Sequence, residues 1–125
     1  MKVLIAENDP RIVEAYRKTF PRFGIEFVDV AGDAPETIAK YQKHGDQIDF
    51  LICNNRLAPI GGVETARRIL AFDPRAVIIL AYEDAIDESY CRQLGICAVV
   101  KMPFAYRNTI HRIFNVLAVQ ATGQK

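Results

Sequence analysis

A chain of 125 residues, half of them apolar and a quarter charged, has the size of one domain and enough apolar side chains to bury one core. A formal net charge of +1 and a pI near 7.7 give no strong field, so charge supplies no case for nucleic acid or an anionic membrane as partner. The apolar runs are far shorter than the ~20 residues that cross a bilayer, and Met1-Lys2 leads into a strand without a signal-peptide pattern, which predicts a cytoplasmic protein.

In chain order, Lys2 to Ala6 (KVLIA) is a short buried strand, and Asp9-Pro10 then supplies an N-cap followed by proline at the first helical position. Ile12, Ala15, Tyr16, Thr19 and Phe20 share one helical face, opposite Glu14, Arg17 and Lys18, until Pro21 and Gly24 end the helix. Ile25 to Val30 is the second strand. Asp33 and Pro35 open a helix whose Ile38, Tyr41 and Gln42 lie on one face, and His44-Gly45 closes it. Ile48 to Cys53 is the third strand. Gly62 begins a helix with Val63, Ala66, Ile69 and Leu70 inward and Glu64, Arg67 and Arg68 outward. Val77 to Leu80, Ala85 to Leu94, Ala98 to Val100 and Tyr106 to Val119 complete the pattern as strand, helix, strand and helix.

Strands and helices that alternate with short connections call for a parallel sheet covered on both faces, a doubly wound α/β domain. In such sheets ligands collect beyond the carboxyl ends of the strands, where the strand order reverses. The residues to inspect are therefore Glu7-Asn8-Asp9, Asn54-Asn55-Arg56, Ala81-Tyr82-Glu83 and Lys101-Met102-Pro103.

The cysteines Cys53, Cys91 and Cys97 lack metal-ligand spacing and sit in or beside apolar segments, which suits buried thiols. A redox sensor built from Cys91 and Cys97 is the alternative, and it would need a lowered thiol pKa. His44 and His111 are isolated and read as surface residues.

AENDP after the first strand, DFLICNNRLAPIGGVE around the third and GICAVVKMPF around the fifth give the whole chain a resemblance to the CheY-like receiver domain of two-component response regulators. The resemblance implies a five-stranded parallel sheet of order 2-1-3-4-5 with five helices, in one domain spanning residues 1–125. It also implies a phosphoryl-accepting aspartate at the end of the third strand with a glycine eight residues later, and Asn54 and Gly62 keep that spacing. Receivers combine that aspartate with acidic Mg²⁺ ligands, a hydroxyl that follows the phosphate, and a lysine.

This chain departs from that set at nearly every position. Asn54 stands at the phosphoacceptor position, and an amide is a very poor nucleophile toward a phosphoryl donor. In the acidic pocket Glu7 remains, Asn8 replaces an aspartate, and Asp9 serves as a helix cap. With Asn8 and Asn54 neutral, no metal site is expected beyond weak Mg²⁺ binding at Glu7. Ala81 takes the place of the switch hydroxyl, Val99 that of the switch aromatic and Met102 that of the lysine. Lys101 lies one residue early and would need a bulge or a changed register to reach the pocket. Arg56 and Glu83 flank the pocket mouth, either as an ion pair over the site or as two separately solvated side chains.

The resemblance points to the fourth helix, fifth strand and fifth helix as the partner face. Tyr106, Ile110, Ile113, Phe114 and Leu117 form the inward stripe of the last helix, with Val116 and Val119 outside it near Arg112, either part of an interface or stray apolar residues. No output domain is expected after Gln124, so an effect would come through a histidine kinase, a downstream regulator or self-association. The expected function is an atypical, phosphorylation-independent receiver, not an enzyme, that works by protein–protein contact. The alternatives are a working receiver of unconventional chemistry, using Asp9 or an Asn54 hydrolysed to aspartate, and a flavodoxin-like cofactor-binding enzyme. The last lacks a phosphate-binding glycine fingerprint and a G-x-S-x-G elbow.

Overall fold

The computed structural model describes residues 1–102 together with His111, Arg112 and Asn115. The described elements are β1 (Lys2–Ala6), α1 (Pro10–Thr19), β2 (Glu26–Ala31), α2 (Ala34–His44), β3 (Phe50–Asn54), α3 (Gly62–Phe72), β4 (Ile78–Tyr82), α4 (Glu88–Leu94) and β5 (Ala98–Lys101). Short 3₁₀ turns, Phe20–Phe23 and Gly45–Gln47, follow α1 and α2. All strand pairings are parallel and the order is β2-β1-β3-β4-β5, as the resemblance implied. Of the expected fifth helix, His111, Arg112 and Asn115 are helical, and the rest of Tyr106 to Val119 lies outside the described residues. No helix of the described residues is long and apolar enough to cross a membrane.

Side chains that alternate along the strands feed separate apolar layers. Leu4, Ala6, Leu51, Cys53, Ile78, Leu80 and Val99 pack beneath α2, α3 and α4 with Tyr41, Ala66, Ile69 and Cys91. Val3, Ile5, Phe50, Ile52, Ile79, Ala81, Val100 and Met102 face the other way and meet Tyr16 and Phe20 from the α1 segment. Both layers are continuous with the ladder, which is why the central strands β1, β3 and β4 have almost no polar residues.

The helix boundaries follow their caps. Asp9 Oδ1 accepts the Arg11 N–H at 2.9 Å and Asp33 Oδ1 accepts the Glu36 N–H at 2.8 Å, so α1 and α2 start where the cap signals placed them. Helix α4 starts at Glu88 instead of Ala85, because Asp87 is its cap and its Oδ1 takes the Tyr90 N–H at 3.0 Å. Gln42 is exposed, and Thr37 is the buried member of that α2 face, with its Oγ1 donating to Asp33 O at 2.7 Å. Strand β3 begins at Phe50 instead of Ile48, since Asp49 turns its carboxylate onto the Lys2 N–H at 2.6 Å. A shift of register between Val3 and Leu4 lets β2 run on to Ala31.

Gly62 is the most closely packed of the described glycines. A Cβ there would lie 2.5 Å from the Asn54 carbonyl oxygen, 2.9 Å from Asn55 Cα and 3.0 Å from Leu80 Cδ2. The first turn of α3 therefore rests directly on the end of β3, and a side chain at this position would push the two apart. Gly62→Ala is expected to destabilise the domain by about 1–3 kcal/mol, the usual cost of overpacking. Urea unfolding of the variant beside the parent measures it, and an unchanged midpoint would contradict the packing described.

Candidate functional site

In this strand order the chain leaves β1 toward β2 on one side, while β3 lies on the other. The carboxyl ends of β1 and β3 thus border the point where the winding reverses, the usual place for a ligand crevice. Glu7 follows β1 there, with its N–H bonded to Ala31 O at 2.9 Å, and its side chain is only 3% exposed. Asn54 ends β3 beside it.

The two side chains meet in a fixed sense. Asn54 Nδ2 donates to Glu7 Oε1 at 2.7 Å, and Asn54 Oδ1 accepts the Arg56 N–H at 2.8 Å. An ionised carboxylate can only accept and a backbone N–H can only donate, so each end of the amide has one possible partner. Glu7 Oε2 accepts the Asp9 N–H at 3.0 Å, which engages the second carboxylate oxygen. A buried carboxylate is costly unless hydrogen-bonded, and here each oxygen has a donor.

The loop that follows is shaped by the same residue. The bond from the Arg56 N–H to Oδ1 is an Asx turn that lifts the chain off the strand, and the Leu57 N–H returns to Asn54 O at 3.1 Å. Leu57 is buried and anchors the loop, and the Gly61 N–H reaches Leu57 O at 2.6 Å. Gly61 has φ of +84°, a conformation that favours glycine, and it leads into α3.

The remaining predicted positions are distributed as follows. Asn8 is exposed. Asp9 is occupied as the α1 cap and in an ion pair with Arg11 at 3.0 Å, and hydrogen bonds from Arg11 hold its carboxyl below the usual range. Ala81 and Met102 are buried together in the apolar layer beneath α1. Val99 pairs with Leu80 and packs in the opposite layer, so the expected switch positions do not face each other. The β4–β5 ladder pairs each residue from Ile79–Ala98 to Tyr82–Lys101 in turn, with no bulge, and Lys101 is exposed.

Arg56 lies within ion-pair reach of Glu83, at 3.9 Å, as one of the sequence alternatives had it. Its nearer partner is Asp84, through Nη2 and Oδ2, which the sequence reading did not single out. The signal was present as two consecutive acids after β4 facing one arginine after β3. No group of three His, Cys, Asp or Glu side chains suited to a metal ion occurs among the described residues.

Of the cysteines, Cys53 is fully buried, and burial, aided by the Glu7 charge, pushes its thiol up to about 12. Burial also raises Cys91, helped by the charges of Asp87 and Glu88, while Cys97 is half-buried. A raised thiol is the opposite of what a sensor requires, which removes the ground for the redox alternative at Cys91.

The family model for the response regulator receiver domain matches residues 3–114. Solved structures agree in fold. A response regulator receiver domain protein from Clostridium thermocellum superposes with a TM-score of 0.88 at 15% identity, covering 97% of each chain. A chain from the CheX-CheY-BeF3-Mg+2 complex of Borrelia burgdorferi gives 0.88 at 22% identity, covering 93% of this chain and 88% of its own. A CheY-like receiver domain protein from Methanospirillum hungatei gives 0.85 at 21% identity, covering 98% of this chain and 97% of its own. No curated protein sequence matches.

The Asn54–Glu7 contact makes a signed prediction. In Asn54→Asp two carboxylates would stand where the 2.7 Å hydrogen bond now is, and at neutral pH the variant is expected to lose about 1–3 kcal/mol of stability. Like charges raise the folded-state pKa of the pair above the unfolded value, so the deficit is full above that raised pKa and shrinks as pH falls through the carboxylate range. Urea unfolding at about pH 7 and about pH 5 tests this; a variant as stable as the parent at the higher pH would refute it.

Proposed function

The chain belongs to the response regulator receiver domain family, and from that premise we propose that it is an atypical receiver of two-component signalling, acting by protein–protein contact without phosphorylation at Asn54. The observation that carries the reading is the orientation of the Asn54 amide. Its nitrogen donates a hydrogen bond to the Glu7 carboxylate and its oxygen accepts the Arg56 N–H. An amide so held offers no anionic oxygen for attack on phosphorus.

The other parts of a phosphoryl-transfer site are replaced in a consistent direction. Phosphoryl transfer depends on charge neutralisation by metal and cation around the transferring group. Ala81 provides no hydroxyl, Met102 is core, and Lys101 is exposed in an unbroken ladder. The residues present do not fit a magnesium ion, which seeks an octahedron of oxygens supplied in part by carboxylates. Glu7 gives both oxygens to hydrogen bonds, Asn8 is exposed, and Asp9 is taken up by capping and by Arg11. No resident cofactor and no catalytic residue are therefore assigned.

For partners the reading favours a histidine kinase, a downstream regulator or a second copy of the chain, meeting the face of α4 and β5 and the helical residues beyond. A cavity of about 290 Å³ opens on that face, lined by Cys91, Ile96, Cys97, Val99, Arg112 and Asn115 among others. Arg112 donates to Val99 O there at 3.2 Å. The expected Val116 and Val119 lie outside the described residues. Asp9 as a substitute phosphoacceptor is disfavoured by its existing bonds, and family membership favours signalling over a flavodoxin-like enzyme.

Incubation with acetyl phosphate and Mg²⁺, followed by intact-mass measurement, is expected to leave the mass unchanged. Mg²⁺ alone is expected to leave the unfolding midpoint of the parent unchanged while raising that of Asn54→Asp. A stoichiometric gain of one phosphoryl group on the parent chain would overturn the proposal.

A further inference from the structure

We propose that Arg56 is an ionic latch that ties the β3–α3 loop to the β4–α4 loop beside Asn54 and so fixes how the chain enters α4. The latch deepens the reading of Asn54 as a position that is not phosphorylated, because it supplies from within the chain a charge contact between the same two loops.

The argument starts where the ladder ends. The Asn55 N–H bonds to Ala81 O at 2.8 Å, and there the β3 segment turns into its loop, while β4 pairs once more, Tyr82 with Lys101, before its own loop begins at Glu83. Arg56 spans the two loops. Its main-chain N–H belongs to the pocket, donating to Asn54 Oδ1, while its side chain reaches outward to Asp84 Oδ2 and to Glu83 Oε2. One residue therefore has its backbone in the buried network and its cation on the neighbouring loop.

Charge makes the partnership specific. Glu83 and Asp84 are consecutive carboxylates, exposed and mutually repulsive, and their loop lies at the strand edge that also holds buried Glu7. Among the described residues Arg56 is the cation paired with either of them. A guanidinium presents several donors in a planar fork, so it can serve two acids at once where a lysine would act as a point charge. Three residues after Asp84 comes Asp87, the cap that starts α4. Ordering the loop at Asp84 therefore restricts where α4 begins, and the end of β3 becomes mechanically connected to the α4 face.

The pair is exposed, with side chains 61% and 72% accessible, so its effect belongs to loop order and not to global stability. Salt should weaken it, since exposed ion pairs are screened.

Backbone ¹⁵N relaxation tests the latch on the full chain, without any phosphoryl donor, in the parent, Arg56→Gln, Asp84→Asn and the reversed pair Arg56→Glu with Asp84→Arg. The heteronuclear NOE of residues 83–86 is expected to stand near that of the flanking strands in the parent, to fall in both single variants and to recover in the reversed pair. In Asp84→Asn the Arg56 amide is expected to exchange about two- to fivefold faster, the factor that corresponds to an exposed ion pair. Equal loop order in the parent and both single variants, or no recovery in the reversed pair, would overturn the latch. Phosphorylation is read separately by mass, so a phosphoryl adduct would sink the earlier reading while leaving these measurements to decide this one.

Discussion

A buried carboxylate next to a strand end needs hydrogen-bond donors, and the bond from Asn54 Nδ2 to Glu7 Oε1 is one that this chain supplies. Glu7 is almost wholly excluded from water, in a place where an unpaired charge would cost several kcal/mol. The Asp9 N–H takes one of its oxygens and the Asn54 amide takes the other. Asparagine is the residue that satisfies both neighbours, since it donates to Glu7 and accepts from the Arg56 N–H in one planar group. An aspartate could satisfy the second neighbour but would oppose the first unless a cation stood between them.

The fold brings this about through order and closeness. Parallel strands place every carboxyl end on one edge, and the reversal of winding next to β1 brings the ends of β1 and β3 together there. Gly62 then allows the first turn of α3 to sit against the backbone of Asn54 and Asn55, which holds the loop from Arg56 to Gly61 in a compact path. Packing on both faces of the sheet keeps the edge rigid, because Cys53 and Leu51 point into one layer and Ile52 into the other. The polar contacts at the strand ends rest on that rigidity, and a site assembled from three loops would otherwise vary by more than a hydrogen bond tolerates.

Much of this was legible in the chain. Apolar runs bounded by Asp-Pro and glycine signals located the strands and the starts of α1 and α2, because burial on both faces and capping are local properties. Where two signals competed the reading slipped: Asp87 outranked the helical pattern at Ala85, and Thr37 buried its hydroxyl by bonding back to Asp33 where Gln42 had been placed inward. At the site, the spacing from Asn54 to Gly62 and the positions of Glu7, Ala81 and Met102 were visible. The direction of the Asn54–Glu7 bond and the approach of Asp84 to Arg56 were not, because both depend on how loops fold back in space and no period in the sequence encodes that. The opposite facing of Ala81 and Val99 was recoverable from strand register, which is a tertiary quantity until the partner strand is known.

The replacements also depend on one another. Ala81 and Met102 belong to a single apolar layer with Ile79 and Val100, so a hydroxyl or an ammonium introduced at either position would enter a closed hydrocarbon environment. A polar group there needs a partner, and Asn54, which pairs with Ala81 across the β3–β4 ladder, already donates to Glu7 and accepts from the Arg56 N–H. The positions therefore bear on one another: an acid at residue 54 would face Glu7 and need a cation between the two carboxylates, and a hydroxyl at residue 81 would need a partner beside that same pair. A polar side chain introduced at residue 81 or 102 would therefore carry the desolvation cost of entering an apolar layer, and the effects of several such changes made together would not simply add.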